Sequence, residues 1–231
     1  MLKHLIIISS LVFSLFANEA LKAFKNKDYN KAFKLYEKDA KAGNSDAQSA
    51  LSYLYLNGLG IKKNEKESLK WLEKSANNNN ANAQYDLAMK YLSGYGVAKD
   101  NKKAFELLTL SSNANNANAQ YNLALMYYNG DGVDANITKT AELLDKASAQ
   151  GHINAVKNLG QIYMQLLKFD KALKWLKINA ESGDTSAYYF LTEIYIQKEN
   201  FKEAKVWAKK SIDSGNEETK MLWKKHNLDK Y

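Results

Sequence analysis

The 231-residue chain carries 33 basic residues, all lysine, against 25 acidic ones, a net charge of +8, and it has neither proline nor cysteine. Without cysteine no disulfide braces the fold and no thiol nucleophile is available, so the core must suffice. Without arginine the commonest bidentate reader of guanine is missing. Beside 25 asparagines and 15 tyrosines, the lysine excess reads as compositional bias more than as a nucleic-acid footprint.

The chain opens on Met1-Leu-Lys-His, a short positive start, followed by an apolar run from Leu5 to Phe16. Ala17 ends that run and the polar pair Asn18-Glu19 follows, the pattern of a secretory signal peptide over 1–17 with cleavage after Ala17. The run has 12 residues, short of the roughly 20 a spanning helix needs. No later stretch is long and apolar enough to cross a membrane. The expected location is therefore periplasmic or secreted.

From residue 18 onward the sequence repeats. "DAQSALSYLYLNGLG" from Asp46, "NAQYDLAMKYLSGYG" from Asn82 and "NAQYNLALMYYNGDG" from Asn118 lie 36 residues apart. Ala47, Ala83, Ala119, Ala155 and Ala187 are followed four residues on by Leu51, Leu87, Leu123, Leu159 and Leu191. Four further on come Tyr55, Tyr91, Tyr127, Tyr163 and Tyr195. This spacing makes one stripe of a helix, helix A of each unit. A helix B precedes each, with small anchors at Ala32, Ser68, Ala104, Thr140, Ala172 and Ala204. Its bulky knobs are Leu35, Trp71, Leu107, Leu143, Trp175 and Trp207. Asp28, Asn64, Asp100, Asn136 and Asn200 stand in its N-cap slot, and Lys168 is the exception.

The turns are as regular as the helices. Gly43, Asn79, Asn115, Gly151, Gly183 and Gly215 share the slot that ends helix B, which asks for a left-handed residue. Asn44, Asn80, Asn116, His152, Asp184 and Asn216 follow as N-caps of helix A. The tract "SANNNNANAQYDL" at 75–87 is thus a tight turn between helices, with no linker. Three units carry Gly-x-Gly between A and B, at Gly58/Gly60, Gly94/Gly96 and Gly130/Gly132; the units at Ala155 and Ala187 lack it and have a shorter turn. Trp223 takes the leucine slot of a last, lysine-rich helix suited to capping the stack. The predicted fold is all-α, a right-handed α/α superhelical solenoid of about six helix-turn-helix repeats closed by a C-terminal cap over 217–231.

The segments Ala81 to Val97 and Ala117 to Val133, with A-x-A-Q-Y-x-L-A-x-x-Y-x-x-G-x-G-V, resemble the Sel-1-like repeat, a relative of the tetratricopeptide repeat. Units over 47–154 match well; 18–46 and 155–216 look more like plain tetratricopeptide units. The resemblance implies a scaffold whose concave face, lined by A helices, holds a protein or peptide. By analogy with tetratricopeptide geometry, the inward positions are Asn82, Tyr85, Asp86 and Met89, then Asn118, Tyr121, Asn122 and Leu125. In the later units they are Asn154, Lys157, Asn158 and Gln161, and Ser186, Tyr189, Phe190 and Glu193. Amides there can pair with a peptide backbone as donor and acceptor at once, and tyrosines add rigid contact area.

Other motifs give way to the repeat. Gly-x-Gly follows no strand and recurs at the repeat period, so a left-handed turn explains it better than a phosphate loop. In "NGDGVDAN" Val133 stands where a calcium ligand belongs and Asp134 where the loop needs glycine. "DANIT" fits an extended bacterial glycosylation sequon at Asn136, a residue the N-cap slot already explains. His4, His152 and His226 are the three histidines, and no HExxH, GxSxG, SxxK or KTG occurs. Catalytic residues, metal ligands and cofactors are therefore not expected. Cysteine-rich secreted relatives described as β-lactamase-like or penicillin-binding leave a hydrolase as one alternative, and this chain lacks their paired cysteines. A cell-wall-associated structural protein is another. The preferred reading is an exported non-enzymatic scaffold for a protein or peptide partner, with no nucleic acid bound.

Overall fold

The computed structural model describes residues 19–231, so the signal segment expected over 1–17 lies outside the described residues. Residues 19–25 are helical (α1). They are followed by α2 (Tyr29–Lys41), α3 (Ser45–Asn57), α4 (Glu65–Asn77), α5 (Ala81–Ser93), α6 (Asn101–Asn113) and α7 (Ala117–Asn129). Then come α8 (Ile137–Ala149), α9 (Ile153–Gln165), α10 (Phe169–Glu181), α11 (Ser186–Gln197), α12 (Phe201–Asp213) and α13 (Glu217–Lys225). A 3₁₀ turn at Leu228–Lys230 closes the chain. Among the described residues there is no strand. The odd-numbered helices from α3 on are the predicted A helices and the even-numbered ones the B helices, so the fold is the expected all-α solenoid.

The boundaries follow from capping. Asp28, Asn64, Asp100, Asn136 and Asn200 each accept a hydrogen bond from the backbone N–H three residues on. Lys168 makes no such cap. Asn44, Asn80, Asn116 and Asn216 cap A helices with the same geometry, and His152 does so through Nδ1. Asp184 departs from the expectation: α11 starts one residue late, with Thr185 as its N-cap. The Asp184 carboxylate instead accepts from the Ser186 N–H and hydroxyl. Gly43, Asn79, Asn115, Gly151, Gly183 and Gly215 all have positive φ, as the turn after helix B requires. The six glycines of the Gly-x-Gly turns do too. In the shorter turns, Leu167 and Glu199 adopt that conformation at φ 56° and 54° without being glycine.

The chain divides into two compact units, one through Ala119 and one from Gln120. In the first, α3 packs on α2 and α4, and α5 on α4 and α6. Its core gathers Phe33, Leu51, Leu54 and Trp71 in one cluster and Leu72, Ala83 and Leu87 in another. In the second, α9 packs on α8 and α10, α11 on α10 and α12, and α13 on α12. Leu144, Leu159, Leu176, Leu191 and Ile194 form its centre. Leu228, from the 3₁₀ turn, is fully buried with Tyr195, Ala204 and Ala208, and Trp223 packs on the edge of that cluster.

Polar side chains join neighbouring helices inside the first unit. The buried Gln48 donates to the Ala40 carbonyl at 3.1 Å and accepts from Asn78 Nδ2 at 2.9 Å. Ser75 Oγ donates to the Ser45 carbonyl and Ser111 Oγ to the Ala81 carbonyl, both at 2.7 Å. Asn80 Nδ2 reaches Asp46, and Asn116 Nδ2 reaches Asn82 Oδ1. The bonds from Asn78, Ser75, Ser111, Asn80 and Asn116 each span 30 or 34 residues, so they tie an A helix to the end of the B helix that follows it and recur with the period. The buried Gln48 and Gln84 each give a second hydrogen bond to a helix-end carbonyl, Ala40 and Ala76, that also accepts from the Gly43 or Asn79 N–H, and so find a partner for their own buried amides.

Candidate functional site

Clefts open between neighbouring A helices, and each has a floor supplied by the B helix behind them. In the first unit α3 contributes Ser49, Ser52, Tyr53 and Leu56, α5 contributes Asp86 and Lys90, and Tyr95 stands at the edge in the turn after α5. The floor is Ser68 and Leu72 of α4, both buried, and the cleft measures about 450 Å³. In the second unit α7 contributes Leu125 and Tyr128, and α9 contributes Asn158, Gln161, Ile162 and Gln165. Its floor is Thr140 and Leu144 of α8, and its volume is about 140 Å³. The two clefts occupy the same repeat position: adding 72 to Tyr53, Leu56, Ser68, Leu72 and Asp86 gives Leu125, Tyr128, Thr140, Leu144 and Asn158. Helical periodicity creates the site. Positions six and nine after the alanine line one side of the gap, and positions three and seven of the next A helix line the other.

Of the residues nominated from sequence, Asp86, Leu125, Asn158 and Gln161 line these clefts. Tyr121 is taken up by packing: its ring stacks on His152 with centroids 4.4 Å apart, and its hydroxyl accepts from Asn158 Nδ2 at 3.4 Å. Asn82 is exposed and accepts from Asn116 Nδ2 at the far end of the same repeat. Tyr85, Asn118 and Asn122 are also engaged with neighbours. Asn154 and Lys157 are exposed, Met89 is half-buried, and the Lys157 carbonyl accepts from Asn179. Tyr189 and Phe190 meet edge to face at 5.4 Å, and the Tyr189 hydroxyl donates to Glu193 Oε1 at 2.9 Å. Ser186 is spent on Asp184. Asn136 is exposed and uses Oδ1 for its cap.

The floor residues and the α3 wall are absent from the set that the sequence nominates. The floor lies on helix B, which the analogy leaves out. The wall carries a signal, because the same offsets counted from Ala47 give Ser49, Ala50 and Tyr53, and Ser49 and Tyr53 do line the cleft.

Electrostatics differ between the units. The Asp86 carboxyl is held above the usual carboxylate range by desolvation, partly offset by Lys90. The residue itself is exposed by surface area, so this is the desolvation of a cleft wall and not of a core. Tyr163 is buried and donates to Asp145; both circumstances push its phenol up, burial first. Tyr189 is pushed up to about 12 by burial and then by Glu193. The fold favours the neutral phenol, so its contribution to stability is complete below the ordinary tyrosine value of about 10. It is lost as pH rises from there through about 12. Ultraviolet titration should show a late-ionising tyrosinate that Tyr189→Phe removes; an unchanged titration curve in that variant would contradict the assignment. Among the described residues no three His, Cys, Asp or Glu gather as a metal-ligand group, and no helix is long and apolar enough to cross a membrane.

The Sel1 repeat model matches residues 23–44, 45–80, 81–116, 117–152, 155–184 and 186–216. The match takes in 155–184 and 186–216, the units whose shortened turns make them resemble plain tetratricopeptide units. Comparison with curated proteins finds no match. Among solved structures, a Sel1 repeat protein from Oxalobacter formigenes is 35% identical, covering 55% of this chain and 95% of that one with a TM-score of 0.54. The protective antigen c5321 of uropathogenic Escherichia coli is 29% identical over 81% of this chain, with a TM-score of 0.61. This chain spans only 42% of that antigen. PilF of Pseudomonas aeruginosa, 12% identical over 94% of this chain and 98% of its own, shares the fold at a TM-score of 0.52. With six matched units covering nearly all of 23–216, built from paired A and B helices, the chain belongs to the Sel1 repeat family.

Proposed function

We propose that this chain is exported and acts as a non-enzymatic scaffold, holding an extended segment of a partner protein along its A helices. The observation that supports this most is the recurrence of one cleft at one repeat position in both units, lined by amide, hydroxyl and tyrosine side chains. Such groups can pair with a peptide backbone and pack on its side chains. Sel1 and tetratricopeptide-like repeats commonly mediate protein interactions, and the signal-like segment 1–17 supports export.

Photo-crosslinking in the native envelope tests the reading. A crosslinking amino acid at Tyr53 or Gln161, both exposed in the clefts, should trap one discrete partner, whereas one at Lys102 on helix B should not. Equal adducts from all three positions, or none, would count against the scaffold. A mature N-terminus at Asn18 is expected by mass spectrometry, and retention of residues 1–17 would refute export. The same spectrum reads whether Asn136 carries a glycan. Nitrocefin turnover at an enzyme-like rate would replace the scaffold with a hydrolase. Sedimentation with purified peptidoglycan, unweakened in Tyr121→Ala/Asn122→Ala, would favour a cell-wall role.

A further inference from the structure

The two equivalent clefts differ in what their polar groups already hold. In the second unit the residue at the Asp86 slot is Asn158, which donates to Tyr121, and the rim is bridged by Gln165 Nε2 donating to the Tyr128 hydroxyl at 3.2 Å. That cleft is small, and Asn158, Gln165, Tyr128 and Thr140 already hold hydrogen-bond partners.

In the first unit the slot holds a carboxylate, and it makes no hydrogen bond or ion pair with any described residue. Lys90, one turn further along α5, is drawn instead over the Tyr95 ring, with Nζ 4.6 Å from its centroid. The cleft is about three times larger, and its two tyrosines, Tyr53 and Tyr95, are 51% and 54% exposed. The same slot is Ala50, Asn122, Asn158 and Phe190 in the other A helices, so a negative charge there is peculiar to this repeat. A negative group partly stripped of water, with aromatic faces at the rim, complements one kind of guest. A guanidinium or ammonium on an apolar stem would pair with the carboxylate and lay its stem or charge on the Tyr53 ring, with Lys90 remaining over the Tyr95 face.

We propose that the cleft between α3 and α5 is a subsite for a lysine or arginine side chain of the bound peptide, with Asp86 as its counter-ion and Tyr53 and Tyr95 as its walls. The proposal rests on the scaffold reading and names what its first unit selects. It also assigns the local preference against the sign of the whole chain: at net charge +8 the protein favours acidic partners at long range, while this cleft favours a cation at contact distance, where screening matters least.

The test uses three short peptides, Ac-Gly-X-Gly-amide with X as Arg, Gln or Glu, titrated at millimolar concentration into the isotope-labelled protein. The Arg peptide should shift the amides of Asp86, Lys90 and Tyr53 saturably, with affinity about tenfold above the Gln peptide and with no response at Asn158; a charge-assisted pair supports that ratio. Asp86→Asn installs the residue that the next two repeats carry in this slot, so the variant should fold with an unchanged far-ultraviolet spectrum and lose the tenfold preference. Equal response to Arg and Gln, or a preference that survives Asp86→Asn, overturns the cation subsite while leaving the scaffold reading intact. Failure of every peptide to perturb either cleft overturns the subsite as well, and if crosslinking at Tyr53 and Gln161 is also empty, the scaffold reading falls with it.

Discussion

Leu159→Ala should lower the stability of the second unit by about 2–5 kcal/mol, the range for truncating a leucine in a close-packed core. Leu159 is fully buried, in one cluster with Ala155, Leu176 and Leu191. It belongs to α9, which packs on α8 and α10, so the cavity would open in contacts that hold successive helices together. In a repeat fold each helix pair contacts only its sequence neighbours, so no distant part of the chain can compensate. The check is amide exchange: protection in α8, α9 and α10 should fall by at least about thirtyfold, since 1.4 kcal/mol is a factor of ten. A loss below about 0.5 kcal/mol would mean that the leucine stripe does not face the stack.

Gly60→Ala should cost about 3 kcal/mol, and Gly96→Ala about 1 kcal/mol, although the two glycines are one repeat apart. Both have positive φ, 70° and 74°, which costs an L-residue roughly 1–2 kcal/mol. At Gly96 nothing lies within 4 Å of the added Cβ. At Gly60 the Cβ would fall 2.2 Å from the Tyr29 carbonyl oxygen, a backbone atom at the capped start of α2 that cannot swing away. Overpacking adds roughly 1–3 kcal/mol to the strain. Chemical denaturation of the two variants side by side measures the difference. Equal losses would show that the backbone around Tyr29 yields at little cost.

The helices and their turns are legible in the sequence because period, cap and left-handed residue agree at each junction. Asn79 illustrates this: its slot is glycine in four other repeats, and its φ of 60° follows from that alone. The start of α11 is displaced by one residue: the Asp184 carboxylate turns to the Ser186 N–H and hydroxyl instead of the N–H three residues on, and Thr185 makes no side-chain cap, an arrangement that the slot alone does not specify. The buried glutamines are hidden for a different reason. A glutamine next to the alanine stripe looks solvated, and only the position of the helix-B carbonyl behind Gln48 shows that it is bonded on both sides. Leu167 could not be foreseen at positive φ, since a leucine takes that conformation only under the constraint of the shortened turn. For the site, the offsets find part of the wall of each cleft; they also nominate Tyr121, which packs on His152 instead, because that stacking depends on a rotamer that spacing does not encode.

The hydrogen bonds at the helix ends have a consequence for how such a chain can change length. The bonds from Ser111 to Ala81 and from Asn116 to Asn82 link positions 30 and 34 residues apart, and the same spans separate Ser75 from Ser45 and Asn80 from Asp46. A tandem copy of residues 81–116 would carry its own pair of these bonds inside it, and at the new junction its Gln84 would meet the Ser112 slot, the counterpart of the Ala76 carbonyl it already uses. Gene duplication in steps of 36 residues can therefore extend the surface without inventing a new interface.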